Sequence, residues 1–305
     1  MTTVLASAAD ERYGFHLLSM LGSAQANSDL FDRIVVFDLG LNPLQRRLVD
    51  AIRGVEVRAM PAFAPHWAQG FTWKPWIWTH LEAERIFYLD AGAMVLRSLR
   101  PVLEQIDERG YFVVSQGFPV RAIVPEDWFE LDGLDREAAD RDSVAAGIIG
   151  FETRGAFWER VVLPTYEDCL AGRSLGFSAH EAEKLNRGLG RSDDVVIRDA
   201  QLFRHDQSVL NVHFLKAFPE GHINDVYRFG GWLGPDQHPE QLIWNHRRRG
   251  DYRYLARARY SPGAALRARL LAARLRVGLW HRRNRRFFQP AAYLRKGRQL
   301  LARAS

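Results

Sequence analysis

The segment Arg85-Ile86-Phe87-Tyr88-Leu89-Asp90-Ala91-Gly92 ends an apolar run on one carboxylate and follows it with two small residues. Ile86 to Leu89 reads as a buried strand, and the small residues let the chain turn at once. In an open α/β sheet, ligands collect at the carboxyl ends of the strands. Asp90 in that place can hold a metal ion or a sugar hydroxyl, or it can cap the next turn. Upstream, Phe71-Thr72-Trp73-Lys74-Pro75-Trp76-Ile77-Trp78 opens a helix rich in indoles, with a proline suited to its first turn. Lys74 either reaches phosphates near the sheet edge or is a solvated residue on a tryptophan-packed core helix. Gly147 and Gly150 punctuate a small-residue strand, where glycine permits close approach of a ligand or a backbone. In Arg204-His205-Asp206-Gln207-Ser208-Val209-Leu210-Asn211, Asp206 is either a functional carboxylate or an N-cap. Gln207 and Asn211, four apart, share one helical face. His246 ends a short apolar run and precedes Arg247, Arg248 and Arg249. Neutral imidazole suits a divalent metal and the arginines suit a phosphate, although a histidine before a basic run is also an ordinary surface feature.

These residues need elements to position them. Apolar runs at 3–7, 34–37, 55–58, 85–89, 112–115 and 145–151 predict strands, and helical patterns at 12–25, 43–53, 73–82, 101–107 and 156–169 lie between them. Such alternation predicts an α/β fold: a mainly parallel, Rossmann-like sheet flanked by helices. Residues 119–141 are polar, acidic and broken by Pro and Gly, and read as an insertion or lid. Residues 219–239, rich in Gly and Pro, read as a second long loop, and loops of that length are often functional.

The chain has 305 residues, of which 47% are hydrophobic and 26% charged, ordinary for a soluble globular protein. It has no apolar stretch of ~18 residues that would span a membrane, and residues 1–10 lack the features of a signal peptide. Cys169 is the only cysteine, which excludes an intramolecular disulfide and a Cys-rich zinc site. A cytoplasmic location is the simplest expectation. The net charge of +6 conceals an asymmetry: residues 252–305 hold 15 of the 42 basic residues and none of the 36 acidic ones. With 27 basic against 36 acidic residues, 1–251 carry a net charge of −9. The expected organisation is a catalytic domain over 1–251 and a basic amphipathic segment over 252–305. Within 264–305, Leu266, Leu270, Leu271, Leu275, Leu279, Trp280, Phe287 and Phe288 recur among arginines at helical spacing. That pattern suits an anionic membrane surface. It also suits a helix packed on an acidic body and, less well, nucleic acid, since no recognition module accompanies it.

In order and spacing, the strand Val4–Ser7, the segment Ile34 to Leu41, Trp73-Lys74-Pro75, Phe87 to Gly92, Ala146 to Ile149, Asp206 to Asn211, and His246 together resemble the GT-A fold glycosyltransferases. The likeness is to the family 8 type and its relatives in bacterial polysaccharide biosynthesis, over roughly residues 3–251. It implies transfer of a sugar from a nucleotide-diphosphate donor, a UDP-sugar, to a glycan or lipid-linked acceptor hydroxyl. Joined to the basic amphipathic segment, it predicts an enzyme held peripherally at the inner face of the cytoplasmic membrane. By position, Asp90 and His246 match the ligands of Mn²⁺ or Mg²⁺. Ala6, Lys74, Asp90, Gly92, Gly147 and Arg247 match donor-binding positions, and Asp206 and Gln207 match the reacting centre. Gly92 departs from the pattern, standing where the second carboxylate of an Asp-x-Asp pair belongs. Asp90 then binds metal with His246 and the donor phosphates alone, or the enzyme works without metal through Lys74, Arg247 and Arg248. A further alternative is a fold that binds nucleotides without catalysis, as a scaffold of a polysaccharide assembly complex.

Overall fold

The computed structural model describes residues 1–135, 137–176, 203–231, 233–246 and 252–283. Its frame is a six-stranded sheet in the order β3-β2-β1-β4-β7-β6. Strands β1 (Thr3–Ala9), β2 (Arg33–Asp38), β3 (Val55–Ala59) and β4 (Arg85–Leu89) run parallel. Strand β7 (Asp142–Glu152) pairs antiparallel to β4, and β6 (Tyr111–Pro119) antiparallel to β7. The sheet is therefore parallel on one side and antiparallel at one edge. A two-stranded ribbon of β5 (Ala93–Val95) and β8 (Ile243–Asn245) stands beside it. All six strands expected from sequence are present. The ribbon strands, three residues each, are too short to leave a periodic signal.

Side chains alternate across each strand and feed two apolar layers. On one face Leu5, Val36, Phe87, Leu89 and Ile148 pack against α1 (Gly14–Asn27), α2 (Pro43–Asp50) and α4 (Arg100–Arg109). On the other, Ala6, Val35, Tyr88, Ala146 and Ile149 pack against α3 (Trp73–His80) and α7 (Asp206–Ala217). Local chemistry sets several helix ends. Asn42 caps α2 in a reciprocal capping box with Gln45, and Pro43 occupies the first turn. Gly110 closes α4 in the left-handed conformation at φ 78°.

Residues 119–141 are an insertion, but one with a core of its own. A 3₁₀ turn at Val120–Ala122 leads to α5 (Glu126–Leu131), and Ile123, Val124, Trp128 and Phe129 pack on Cys169 and on Val209, Val212 and Leu215 of α7. Arg173 pairs with Asp132 and with Asp168 of α6 (Leu163–Leu170), and stacks on Trp128 at 4.1 Å. His213 of α7 meets the same Asp168 at 2.9 Å. Burial alone would raise the Asp168 carboxyl, but His213 and Arg173 outweigh it and hold it below its ordinary value.

The loop zone 219–239 contains α8 (Val226–Phe229), capped by Asp225. The C-terminal basic segment is continuous with the body over its described part. Tyr252, Leu255, Ala258 and Tyr260, then Ala268 and Ala272 of α9 (Pro262–Arg283), are buried in the same apolar layer as α1. No helix among the described residues is long and apolar enough to cross a membrane.

Candidate active site

The carboxyl end of β4 delivers Asp90 to the face of the sheet that α3 covers. Tyr88 and Asp90 are two residues apart and so share that face. The Tyr88 hydroxyl donates to Asp90 Oδ1 at 3.1 Å. The Asp90 amide extends the β4–β7 ladder by donating to the Gly147 carbonyl at 2.8 Å. This pairing sets the Asp90 carboxylate directly over Gly147: a Cβ there would lie 2.2 Å from Asp90 Oδ2. Glycine is therefore required at 147 for the carboxylate to stand where it does.

Lys74 enters from the first turn of α3. Its ammonium lies 3.4 Å from Asp90 Oδ1 and 3.2 Å from Asp206 Oδ2, the first side chain of α7. The rings of Phe71, Trp73 and Tyr88 surround it at 5.3 to 5.7 Å. Burial alone would lower the Lys74 pKa; the carboxylates of Asp206 and then Asp90 reverse this and carry it above the ordinary lysine value. Asp206 is held above its ordinary value, first by burial and then by the charge of Asp90, with Lys74 pulling the other way. Burial and the Asp90 charge also push the Tyr88 phenol well up, which keeps it a donor. Asp206 Oδ2 is buried, and the Lys74 ammonium at 3.2 Å is the charge that faces it. Asp90 is the open member, with 38% of its side chain exposed.

Backbone strain flanks both partners. Phe71 and His205 adopt left-handed φ of 54° and 55°, unusual for residues with a Cβ. The His205 ring lies 5.7 Å from that of Phe71 and its Nδ1 is 2.9 Å from the Ser174 carbonyl. Such outliers persist only where surrounding packing enforces them, and they cluster at functional sites. Sequence patterning carries no sign of them, nor of the Tyr88 hydroxyl's part.

The other expected residues are placed as follows. Gln207 lies beside Asp206, but its amide donates to the Val144 carbonyl at 3.0 Å. Asn211 accepts from the Val144 amide at 2.8 Å and donates to its carbonyl at 3.0 Å. The shared helical face of these two residues thus grips β7 and fixes the start of α7. Ala6 is fully buried in the same apolar layer as Tyr88, its register partner on the neighbouring strand. Gly92 lies in the turn closed by the Ala93 amide on the Asp90 carbonyl. His246 is buried next to β8, whose Asn245 pairs with Ala93, so the ribbon carries it to the Asp90 turn. Its ring sits 5.4 Å from that of His16 and 5.3 Å from that of Trp244. Arg247 and Arg248 lie outside the described residues.

A resident divalent cation would draw its ligands from Asp90, His246 and their neighbours. Such ions want several oxygen ligands. Here Asp90 Oδ1 already serves Tyr88 and Lys74, Asp206 faces Lys74, and Gly92 supplies no carboxylate. No group of three metal-ligating side chains occurs among the described residues. These residues do not by themselves fit a divalent cation; the cation they hold is the Lys74 ammonium.

No protein-family model matches the chain, and no curated protein matches it. Among solved structures it is similar to WbbM, a bifunctional glycosyltransferase, at 12% identity and a TM-score of 0.51, over 88% of this chain and 51% of that one. It also matches LgtC twice. An active-site mutant gives 15% identity and a TM-score of 0.41 over 74% of each chain. The galactosyltransferase LgtC with donor and acceptor sugar analogs gives 14% identity and 0.39, over 79% of this chain and 86% of that one. The chain spans about half the length of WbbM. The likeness to WbbM bears on architecture alone, and it agrees with the strand order and helical layers described above: the chain has a GT-A-type glycosyltransferase fold.

Proposed function

We propose that the chain transfers a sugar from a nucleotide-diphosphate donor, a UDP-sugar, to a hydroxyl of a glycan or lipid-linked acceptor. The observation that carries this reading is the pair of carboxylates, Asp90 and Asp206, bridged by one buried ammonium at the strand end where a GT-A fold binds ligands. Asp206, almost wholly buried beside the Lys74 ammonium, has acceptor capacity left for a sugar hydroxyl. Asp90, open to solvent above Gly147, offers the complementary contact. The raised pKa of Asp206 suits proton transfer from an acceptor hydroxyl, because a stronger base serves a weak nucleophile better.

A leaving diphosphate gathers negative charge and needs a fixed cation. Lys74 alone does not balance two carboxylates. In this reading it orients them toward the sugar, and the basic run that follows His246 takes the diphosphate. The reaction then needs no resident metal.

Thermal unfolding with UDP, GDP and CMP, each with and without Mn²⁺, tests this. UDP at ~100 times its dissociation constant stabilises by about 2.7 kcal/mol, a shift of roughly 5 °C at this size. The expected result is a UDP-specific shift that persists in EDTA and is lost in Gly147→Ala, whose Cβ displaces the Asp90 carboxylate. A shift that appears only with Mn²⁺ would return the site to metal. No shift with any nucleotide would sink the transferase reading. Binding without turnover across UDP-sugars would favour a non-catalytic scaffold.

A further inference from the structure

Helix α9 has two apolar faces, and the fold uses only one. Ala268 and Ala272 are buried, and Leu271, Leu275 and Leu279 pack against the core layer of α1. On the opposite side Leu266, Leu270 and Val277 are 63 to 65% exposed and Trp280 is 58% exposed. With Ala273, also exposed, these residues recur at alternating intervals of four and three. At ~100° per residue they fall within about 80° of one another. The same geometry puts Arg267 and Arg274 along one flank of this stripe and Arg269 and Arg276 along the other. Residues 252–305 contain no Asp or Glu to neutralise them.

We infer that this outward stripe is a docking face for an anionic lipid surface, with Leu266, Leu270, Val277 and Trp280 entering the headgroup boundary and the arginine rows meeting the lipid charge. A continuous apolar stripe between two cationic rows matches a surface that is apolar beneath and negative at its rim. The stripe also has heptad spacing, but a second copy presenting the same face would bring arginine rows together without an acidic partner. The exposed large apolar residues of the body, such as Leu44, Leu131, Leu170 and Tyr227, sit on separate elements and offer no matching stripe. The inference rests on α9 alone and stands apart from the transferase reading.

The test is co-sedimentation of the full chain with phosphatidylcholine vesicles and with vesicles that also contain phosphatidylglycerol. Two variants have substitutions only at outward positions: Leu266→Gln/Leu270→Gln/Val277→Gln, and Arg267→Gln/Arg269→Gln/Arg274→Gln/Arg276→Gln. Unchanged thermal unfolding confirms that each is folded. The full chain is expected to prefer the anionic vesicles by about tenfold or more, and less so as salt rises. The apolar triple variant should lose about tenfold or more, and the arginine variant should lose the anionic preference. Both variants keep residues 284–305, so wild-type binding by both would place any lipid affinity elsewhere and overturn the inference. A full chain that binds neither vesicle would also overturn it. So would a concentration-dependent dimer that the apolar triple variant abolishes, which would give the stripe to a second copy.

Discussion

Lys74 is the residue on which the charge balance of the site turns. Its ammonium sits between two carboxylates, one of them almost wholly buried, and breaking such a pair strands a charge in a dry environment. Lys74→Met is expected to cost about 3 kcal/mol at neutral pH. The sign of the pH dependence follows from Asp206. Its carboxyl is already raised in the folded chain and rises further without the lysine, so the folded state binds a proton more readily than the unfolded one. Stability in the variant therefore falls as pH climbs from the ordinary carboxylate value of 3.8 through the raised one, and recovers toward acid. Melting temperatures of wild type and variant at pH 5 and pH 8 check this; a gap that is equal at both, or wider at pH 5, would show that Asp206 is not the stranded charge. At this scale Asp90 was legible in the sequence, because a carboxylate closing an apolar run before two small residues marks a strand end. The bridge was not: Lys74 and Asp206 each had a local explanation, as a solvated side chain and as an N-cap. Only the approach of α3 and α7 to the same strand end distinguishes those readings from the one observed.

Helix α7 acts as a carrier for Asp206. Its first turn follows the left-handed His205, and its register on β7 is held by Gln207 and Asn211, which together bond both main-chain groups of Val144. Asn211→Ala leaves the buried Val144 amide without its side-chain acceptor, at a cost of about 1–3 kcal/mol. At roughly 2 °C per kcal/mol for a chain of this size, unfolding should come about 2–6 °C earlier. UDP-induced stabilisation should weaken as well, since the shift of α7 moves Asp206. A variant that melts earlier with an undiminished UDP response would uncouple the clamp from the site. The i, i+4 spacing of Gln207 and Asn211 was visible in the sequence, but their target was not. A helical period specifies which residues share a face and is silent about what that face meets. The same limit applies to 119–141, where Pro, Gly and acidic residues marked an insertion or lid. What that insertion packs on was not legible: its scattered apolar positions close a small core against α7.

For the molecule as a whole, the basic C-terminal segment is both part of the core and an outward surface. Tyr252, Leu255, Ala258 and Tyr260 are buried against α1 before α9 begins. A chain cut after residue 251 would expose that layer, and deleting several large buried side chains costs more than the 2–5 kcal/mol typical of one. Against an ordinary stability of 5–15 kcal/mol, the truncated chain is expected to be unfolded or insoluble. Expression of 1–251 beside 1–283, compared by thermal unfolding, checks this. A cooperative transition for 1–251 close to that of 1–283 would make the first 251 residues an autonomous unit after all.

The sequence by itself determined the order of strands and helices, the strand-end place of Asp90 and the split between an acidic body and a basic C-terminal segment. These are encoded by neighbours in the chain, through side-chain periodicity, turn residues and composition. Tertiary structure alone decided that Lys74 and Asp206 meet at Asp90, that Gly147 must lack a side chain beneath it, and which leucines of α9 go inward. Each of those outcomes depends on two distant elements packing at a particular register. A single segment carries the propensity to form an element but not the identity of the surface it will face.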